Sequence, residues 1–410
     1  MTLPKIFTPN NNDNLCYLLI PIIFTLISII ISQKTGYKKI LSVRNIFADN
    51  DNWERYKSAR SGIISDWVIK NVDKMLKCQN SELGYLKYEC EGCKKTKTIK
   101  LSCNSRICGR CGRRYTDNWS QILAKEILPI PHRHFILTMP AELWPIFEKD
   151  TDLWKLLLDT VQITFKNVVN WKRNNKKLKF GLICALHIYG NDLKFNPHAH
   201  VIITEGYMDK YGKWQKHFYF NYNSMRRVWQ YNILKGIKNK YRNDNTISVL
   251  VNEMFQKYKN GFVIDGKRRI SNVKEVAKYI IRYVRHPSIA DSRIQSYDGK
   301  EVQFRYKRRV DGIITYYEKI MKVEDFIEAI IKFIPPKNFK IIRYYGIYSR
   351  RGKKKLRVLI DQLVGSYGSL RFYKYPSKSK KGHKIRKIIN CSICGGRMKL
   401  IETYFNRDYG

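Results

Sequence analysis

Acidic residues are scarce in this 410-residue chain. Asp and Glu number 34 against 78 Lys and Arg, which leaves a formal net charge of +44. An enzyme of small neutral metabolites needs no such surplus, because its self-repulsion must be offset by a polyanionic partner. The chain also lacks the G-x-x-x-x-G-K-[ST] loop that cradles nucleotide phosphates. These absences exclude a P-loop site and favour nucleic acid as the partner.

Aromatic residues are plentiful, with 28 Tyr, 18 Phe and 8 Trp among the basic residues. Aromatic rings stack on unpaired bases, whereas paired bases offer them little access. We therefore expect single-stranded segments to form part of the substrate.

Residues 14–33 carry no formal charge and include the apolar run LCYLLIPIIFTLISIII. The run is long enough for one membrane span, and the lysines that follow it would hold the body in the cytoplasm. It lacks the basic start and small-residue cleavage site of a signal peptide. Three interpretations stay open: a membrane anchor, a buried helix or strand, or a translated upstream extension that is no part of a functional protein beginning near Ile40.

Two Cys-x2-Cys pairs, Cys90/Cys93 and Cys108/Cys111, are separated by 14 residues. This spacing predicts one tetrahedral structural zinc, with an iron–sulfur or redox role as the alternative. Cys103 could replace one of the four ligands. Ligand-spaced cysteines in a large basic protein also indicate a reducing, cytoplasmic environment.

Other cysteines have less certain partners. Cys78 is available to a second site. Cys391 and Cys394 form a single knuckle, which borrows His383, pairs between chains or binds nothing. Basic residues around the N-terminal cysteines predict a DNA-gripping element, and the members that we assign to DNA are Arg106, Arg110, Arg113 and Arg114.

His198 and His200 lie at i and i+2 at the start of a β-branched run, so their side chains share one face of a strand. The preceding segment 183–189 reads as a second strand joined through a turn at 190–192, which makes His187 a candidate third ligand. Two imidazoles aimed at one point suit a divalent metal, although an incidental or structural pair is the alternative. His132 and His134 have the same spacing but no hairpin partner, and we rank them lower.

Residues 272–285 predict a helix packed on a core. Tyr279 and Tyr283 lie one turn apart at the border of its apolar stripe. Basic residues lie on the outward side, where we also assign them to DNA binding: Lys278, Arg282 and Arg285. Ordinary boundary tyrosines would show the same pattern. The following segment, 303–322, predicts a β-hairpin around Asp311 and Gly312.

Several blocks together carry a resemblance. They are SCNSRICGRC, HFILTMP, LHIYGNDLKFNPHAHVII, VAKYIIRYVRHPSIADSRI followed by VQFRYKRR, FKIIRYYGIYSRR and CSICGGRM. In this order they resemble the two-tyrosine rolling-circle transposases of prokaryotic insertion sequences, within the HUH endonuclease superfamily that includes replication initiators, relaxases and Helitron proteins. The hydrophobic N-terminus departs from that pattern, as does the arginine after Gly109, where a proline is common.

The resemblance implies a mechanism. His198 and His200, with His187 as third ligand, would bind Mg²⁺ or Mn²⁺ beside the scissile phosphate of DNA. Tyr279 or Tyr283 would attack as the nucleophile and form a 5′-phosphotyrosine. Rejoining then needs no nucleotide, in agreement with the missing P-loop. A replication initiator or relaxase, a non-catalytic zinc-containing DNA-binding regulator and a decayed copy are the alternatives.

We therefore predict an α+β fold: a central antiparallel sheet with the HUH metal site, flanking helices and a small N-terminal zinc-knuckle module. The predicted boundaries are 1–39 for the hydrophobic extension, 40–125 for the helical and zinc-binding domain, 126–350 for the catalytic domain and 351–410 for a basic tail with one knuckle.

Overall fold

Two apolar strands rich in β-branched residues form the centre of the computed structural model. Strand β4 (Gly181–Tyr189) pairs antiparallel with β5 (Phe195–Thr204), and β3 (His132–Leu137) pairs with the other edge of β5. β4 and β5 are buried along almost their whole length, which explains their near-continuous apolar sequence. The sheet is completed by β13 (Ile342–Gly346) on β4 and by β8 (Ile264–Asp265) and β9 (Arg269–Ile270) on β3.

The structure describes residues 41–124, 126–171, 179–209, 211, 213–216, 220–266, 269–270, 272, 275–276, 287–310, 313–352, 358–359 and 389–409. The hydrophobic segment 14–33, for which a membrane anchor is one of three interpretations, lies outside these residues. Within the described ranges, no helix has the length and apolar character needed to cross a membrane.

Three short helices precede the cysteine region, as the helical spacing of apolar residues predicts. Ser42 caps the first by accepting a hydrogen bond from the amide of Asn45 at 3.2 Å. Trp53 stacks between Phe47 and Tyr56 and holds the first two helices together. The helices are α1 (Val43–Ala48), α2 (Asn52–Ala59) and α3 (Asp66–Leu76).

A separate three-stranded sheet follows α3. Strand β1 (Gly84–Cys90) pairs antiparallel with β2 (Thr96–Lys100) on one edge and with β14 (Met398–Phe405) on the other. The C-terminal segment therefore adds a strand to the N-terminal zinc-binding region. This pairing differs from the predicted division, which assigned 351–410 to a tail of its own.

Longer helices cover the central sheet. The buried residues Leu157, Val161 and Phe165 lie on α6 (Asp152–Trp171), which packs against α7 (Tyr222–Lys240) and contacts β4 and β5. The helices are α4 (Gly109–Ala124), α5 (Trp144–Lys149), α6 (Asp152–Trp171), α7 (Tyr222–Lys240), α8 (Asn245–Lys257) and α9 (Val323–Ile331).

The predicted hairpin is confirmed, and its two strands pair over ten residues each. Asp311 and Gly312 at its turn lie outside the described residues. A third strand pairs with its first strand. The strands of this sheet are β10 (Ile294–Tyr297), β11 (Glu301–Val310) and β12 (Ile313–Lys322), and a small two-stranded sheet is formed by β6 (Gly206–Met208) and β7 (Trp214–Lys216). The antiparallel sheets and flanking helices confirm the α+β fold class.

Candidate functional site

Strand pairing brings three of the predicted histidines to one point. His187 on β4 lies directly opposite His198 on β5, and His200 follows on the same face. The Nε2 atom of His198 is 3.1 Å from Nδ1 of His187 and 3.1 Å from Nε2 of His200. All three residues offer a ring nitrogen within 4.8 Å of the other two. The bulge between His187 and Tyr189 adjusts the register immediately beside the cluster.

A backbone carbonyl selects the tautomer of His198. Its Nδ1 atom lies 2.7 Å from the carbonyl oxygen of Asn196, and because a carbonyl can only accept, Nδ1 carries the proton. In the neutral ring Nε2 then keeps its lone pair, and this is the atom that faces His187 and His200. The outer hydrogen bond thus orients His198 as a metal ligand requires.

Burial keeps these rings neutral. His198 and His200 are less than a tenth exposed, and loss of solvation lowers the pKa of each below its ordinary value. Neighbouring histidines lower the pKa of His200 further. Together with His187, these two imidazoles form a nitrogen donor set for a divalent ion, which suits a transition metal such as Mn²⁺ better than the oxygen-seeking Mg²⁺.

The second His-x-His pair has two separate environments. On β3, Nε2 of His134 lies 3.3 Å from Nδ1 of His200, so His134 contacts the cluster through His200. His132 is fully buried, donates from Nδ1 to the carbonyl of Ile130 at 2.8 Å and accepts from the hydroxyl of Tyr348 at 2.5 Å. Sequence reasoning ranked both residues as rival ligands and missed the supporting position of His134, which only the pairing of β3 with β5 reveals.

The predicted nucleophiles Tyr279 and Tyr283, and the basic residues Lys278, Arg282 and Arg285, lie outside the described residues. The start of their predicted helix is described at Val276, whose amide donates to the carbonyl of Asn272 at 3.0 Å. Val276 is buried in one cluster with Ile183 of β4 and Ile202 of β5. Ile202 is two residues from His200 and Ile183 four from His187, so Val276 lies on the histidine face of the sheet.

The cysteines form two quartets that differ from the predicted one. Cys108 and Cys111 join Cys78 and Cys103, with sulfur–sulfur separations of 3.5 Å for Cys103–Cys111, 3.6 Å for Cys78–Cys111 and 3.8 Å for Cys78–Cys108. Four sulfurs about 2.3 Å from a tetrahedral zinc lie roughly 3.8 Å apart, so this set fits Zn²⁺. The antiparallel pairing of β1 with β2 returns the chain to Cys78, and the amide of Gln79 donates to the carbonyl of Leu101 at 3.0 Å beside the quartet.

Cys90 and Cys93, assigned by the sequence to that same zinc, instead lie beside Cys391 and Cys394. The physical reason is the pairing of β1 with β14, which joins segments about three hundred residues apart. The C-terminal knuckle therefore has partner thiols within the same chain, which replaces the predicted alternatives of pairing between chains or binding nothing. His383, the third predicted alternative, lies outside the described residues. The regular Cys-x2-Cys spacing at Cys391 was the available signal, but it does not identify the partner.

The basic residues near the cysteines have different surroundings. Arg110, Arg113 and Arg114 are exposed at the start of α4. Arg106 is half-buried and lines a small cavity together with His187 and Phe333. The loop that carries Cys103 and Cys108 thus lies beside β4.

The β11–β12 hairpin carries an aromatic and basic face. Tyr306 stacks on Tyr317 with ring centres 5.6 Å apart, and the Arg308 guanidinium lies 5.4 Å from the Tyr306 ring centre. Arg308 also pairs with Asp192 at 2.9 Å, and Lys319 donates to the Asp192 carbonyl at 2.9 Å. Because Asp192 lies in the turn between β4 and β5, the hairpin is anchored beside the histidine-bearing strands.

Two family models match the chain. One described as "Putative transposase" matches residues 181–355, which include the three histidines and both tyrosines. One described as "Transposase zinc-binding domain" matches residues 48–139, which include the quartet of Cys78, Cys103, Cys108 and Cys111. Cys391 and Cys394 lie outside both matches.

Curated relatives agree with these matches. The chain is 26% identical over 324 residues to "Transposase for insertion sequence element IS801" of Pseudomonas savastanoi pv. phaseolicola, which covers 75% of this chain and 76% of the relative. It is 22% identical over 306 residues to "Putative transposase y4qJ" of Sinorhizobium fredii (strain NBRC 101917 / NGR234), covering 70% and 76%. No solved structure matches the chain.

Proposed function

Because this chain belongs to the insertion-sequence transposases with an N-terminal zinc-binding domain, we propose that it cleaves and rejoins single-stranded DNA through a metal-dependent tyrosine reaction. By this reaction the protein would mobilise the insertion sequence that encodes it, through a rolling-circle-like route. The observation that carries this proposal is the convergence of His187, His198 and His200 on one point. We place the reaction in the cytoplasm, where ligand-spaced cysteines stay reduced.

The three histidines would hold the catalytic metal, Mn²⁺ or Mg²⁺. When bound, the ion supplies Lewis-acid stabilisation of negative charge on the phosphoryl oxygens. The protein contributes neutral rings and a fixed orientation. The Asn196 carbonyl orients His198, and His134 contacts Nδ1 of His200.

Tyr279 or Tyr283 would act as the nucleophile. The phenolic oxygen attacks phosphorus, the bond from phosphorus to the 3′-oxygen breaks, and the leaving oxygen takes a proton to become a 3′-hydroxyl. The tyrosine keeps the 5′-phosphate, so the reverse attack by a 3′-hydroxyl rejoins DNA without a nucleotide. The position of Val276 on the histidine face supports this assignment, since Tyr279 follows it by three residues. A phenol with an ordinary pKa of about 10 needs nearby cations to ionise, and Lys278 and Arg282 are the candidates.

Single-stranded DNA is the substrate form that the hairpin favours. Tyr316 is 63% exposed, and the Arg305 guanidinium lies 5.1 Å from its ring centre. Exposed rings flanked by cations bind unpaired bases by stacking and the backbone by charge. Exposed Arg110, Arg113 and Arg114 would extend the contact with phosphates.

The test uses single-stranded oligonucleotides that cover the DNA flanking the gene, with Mn²⁺ and the full-length protein. A label at the 3′ end should move with the protein on a denaturing gel, whereas a label at the 5′ end should be released on a shorter strand. Changing both Tyr279→Phe and Tyr283→Phe should abolish the adduct, and His198→Ala with His200→Ala should reduce it strongly. Tyr211→Phe, an exposed tyrosine elsewhere, is the matched control. An adduct that survives the double Phe change would overturn the nucleophile assignment.

A further inference from the structure

Four thiols lie close together at the end of β1, two from residues 90–93 and two from residues 391–394. The sulfur of Cys90 lies 3.4 Å from that of Cys394, and the sulfur of Cys93 lies 3.6 Å from that of Cys391. All four sulfurs are within 4.8 Å of one another. These separations are far longer than a disulfide bond and near the roughly 3.8 Å expected between ligands of one tetrahedral zinc.

The N-terminal pair forms a tight knuckle. The amide of Lys94 donates to the carbonyl of Cys90 at 3.1 Å, and the amide of Cys90 donates to the carbonyl of Lys95 at 2.9 Å. Lys94, the residue after the second cysteine, has a positive φ of 59°. A lysine adopts this left-handed conformation at a cost, so the turn is held by its surroundings.

The C-terminal pair repeats the same backbone pattern. The amide of Gly395 donates to the carbonyl of Cys391 at 3.0 Å, and the amide of Cys391 donates to the carbonyl of Gly396 at 2.8 Å. Gly395 again follows the second cysteine and has a φ of 71°. Two knuckles with matching bonds at matching positions turn their thiols towards a common centre.

The space around the sulfurs is kept open by a glycine. A Cβ atom at Gly396 would lie 3.2 Å from the sulfur of Cys90 and 3.3 Å from that of Cys394. Any larger residue would therefore crowd two of the four thiols. This close approach explains why glycine is suited to a position with no positive φ.

Sheet register aligns the two knuckles. Cys90, the last residue of β1, pairs with Met398, the first residue of β14. Both Cys-x2-Cys segments thus lie at the same end of the sheet. The remaining clustered cysteines, Cys78, Cys103, Cys108 and Cys111, already form a complete quartet of their own.

We propose that Cys90, Cys93, Cys391 and Cys394 bind a second structural Zn²⁺, which fastens the C-terminal segment to the zinc-binding domain. The site joins residues 90–93 to residues 391–394. None of these observations depends on the proposed strand cleavage, so the zinc site can be tested independently of that reaction.

The test is the zinc content of full-length protein after exhaustive dialysis, measured by inductively coupled plasma mass spectrometry. Wild type should hold two zinc ions per chain. Cys391→Ser with Cys394→Ser should hold one, and so should Cys90→Ser with Cys93→Ser. Cys184→Ala, which removes a buried thiol of β4 that lies in neither quartet, should keep two.

A second measurement separates metal loss from misfolding. Amide hydrogen exchange in β14 should become at least roughly tenfold faster in the Cys391/Cys394 double variant, while exchange in β4 and β5 stays unchanged. Two zinc ions per chain in that variant, or unchanged exchange in β14, would overturn the proposal. One zinc ion in the wild type would also overturn it.

Discussion

The Nε2 atom of His134 lies 3.3 Å from the Nδ1 atom of His200. This contact turns the other nitrogen of His200 towards His198, where Nε2 of each ring is 3.1 Å from the other. His134 is not one of the three converging donors, and we expect it to position His200.

Replacing His134 should weaken the metal site without removing it. We expect His134→Phe to lower Mn²⁺ affinity by about 10- to 100-fold, the usual effect of removing an outer hydrogen-bond partner of a ligand. His134→Gln, which can still bond to His200, should recover part of that loss. Titration of Mn²⁺ followed by calorimetry measures both. His132→Gln is the matched control on the same strand, and an equal loss in that variant would contradict the positioning role.

His132 should make the fold sensitive to acid. Burial lowers its pKa to about 4 from the ordinary 6.5, so the folded state resists the proton that the unfolded state accepts. The contribution of His132 to the free energy of unfolding is therefore fully present above pH 6.5. It decreases as the pH drops from 6.5 towards 4, by at most roughly 3 kcal/mol. His132→Gln should be less stable at pH 7.5 but should lose less stability between pH 7.5 and 4.5. Urea midpoints at several pH values test this, and parallel curves would contradict it.

Zinc should leave the two quartets independently. Cys78→Ser with Cys103→Ser removes half the donors of one quartet, so we expect the loss of one zinc ion and a lower melting temperature. The quartet that the sequence spacing predicts, Cys90, Cys93, Cys108 and Cys111, gives a different expectation, because neither changed residue belongs to it. Retention of all the zinc in the Cys78/Cys103 variant would support that earlier grouping instead.

The hairpin should contribute to binding of unpaired DNA. Tyr316→Ala removes an exposed ring beside Arg305, and one stacked base is worth about 1–3 kcal/mol. We expect the Kd for single-stranded DNA to rise about tenfold, with a much smaller change for duplex DNA. Fluorescence anisotropy measures both constants. The control is Tyr211→Ala, at a tyrosine that is 81% exposed and lies outside the hairpin. An equal rise of the Kd in that variant would contradict a specific role of Tyr316 in binding unpaired bases.

Local patterns predicted the histidine hairpin because its parts are adjacent in the chain. Two apolar segments joined by a short turn at 190–192 leave few registers, and one of them places His187 opposite His198. The helices of residues 40–76 and the β11–β12 hairpin were predictable for the same reason.

Contacts between distant segments were not predictable in this way. β3 precedes β5 by about sixty residues, and nothing in its alternation identifies β5 as its neighbour, so the place of His134 was missed. Cys90 and Cys391 have the correct spacing for metal ligands, but spacing alone allowed the wrong partners. Only the pairing of β1 with β14 distinguishes the two quartets.

The most direct measurement of the central claim identifies the residue that carries DNA after cleavage. The covalent adduct formed with single-stranded DNA and Mn²⁺ is digested with protease and nuclease, and its peptides are sequenced by mass spectrometry. We expect a nucleotide linked through its 5′-phosphate to Tyr279 or Tyr283. A nucleotide on any other residue, or one linked through its 3′-phosphate, would contradict it.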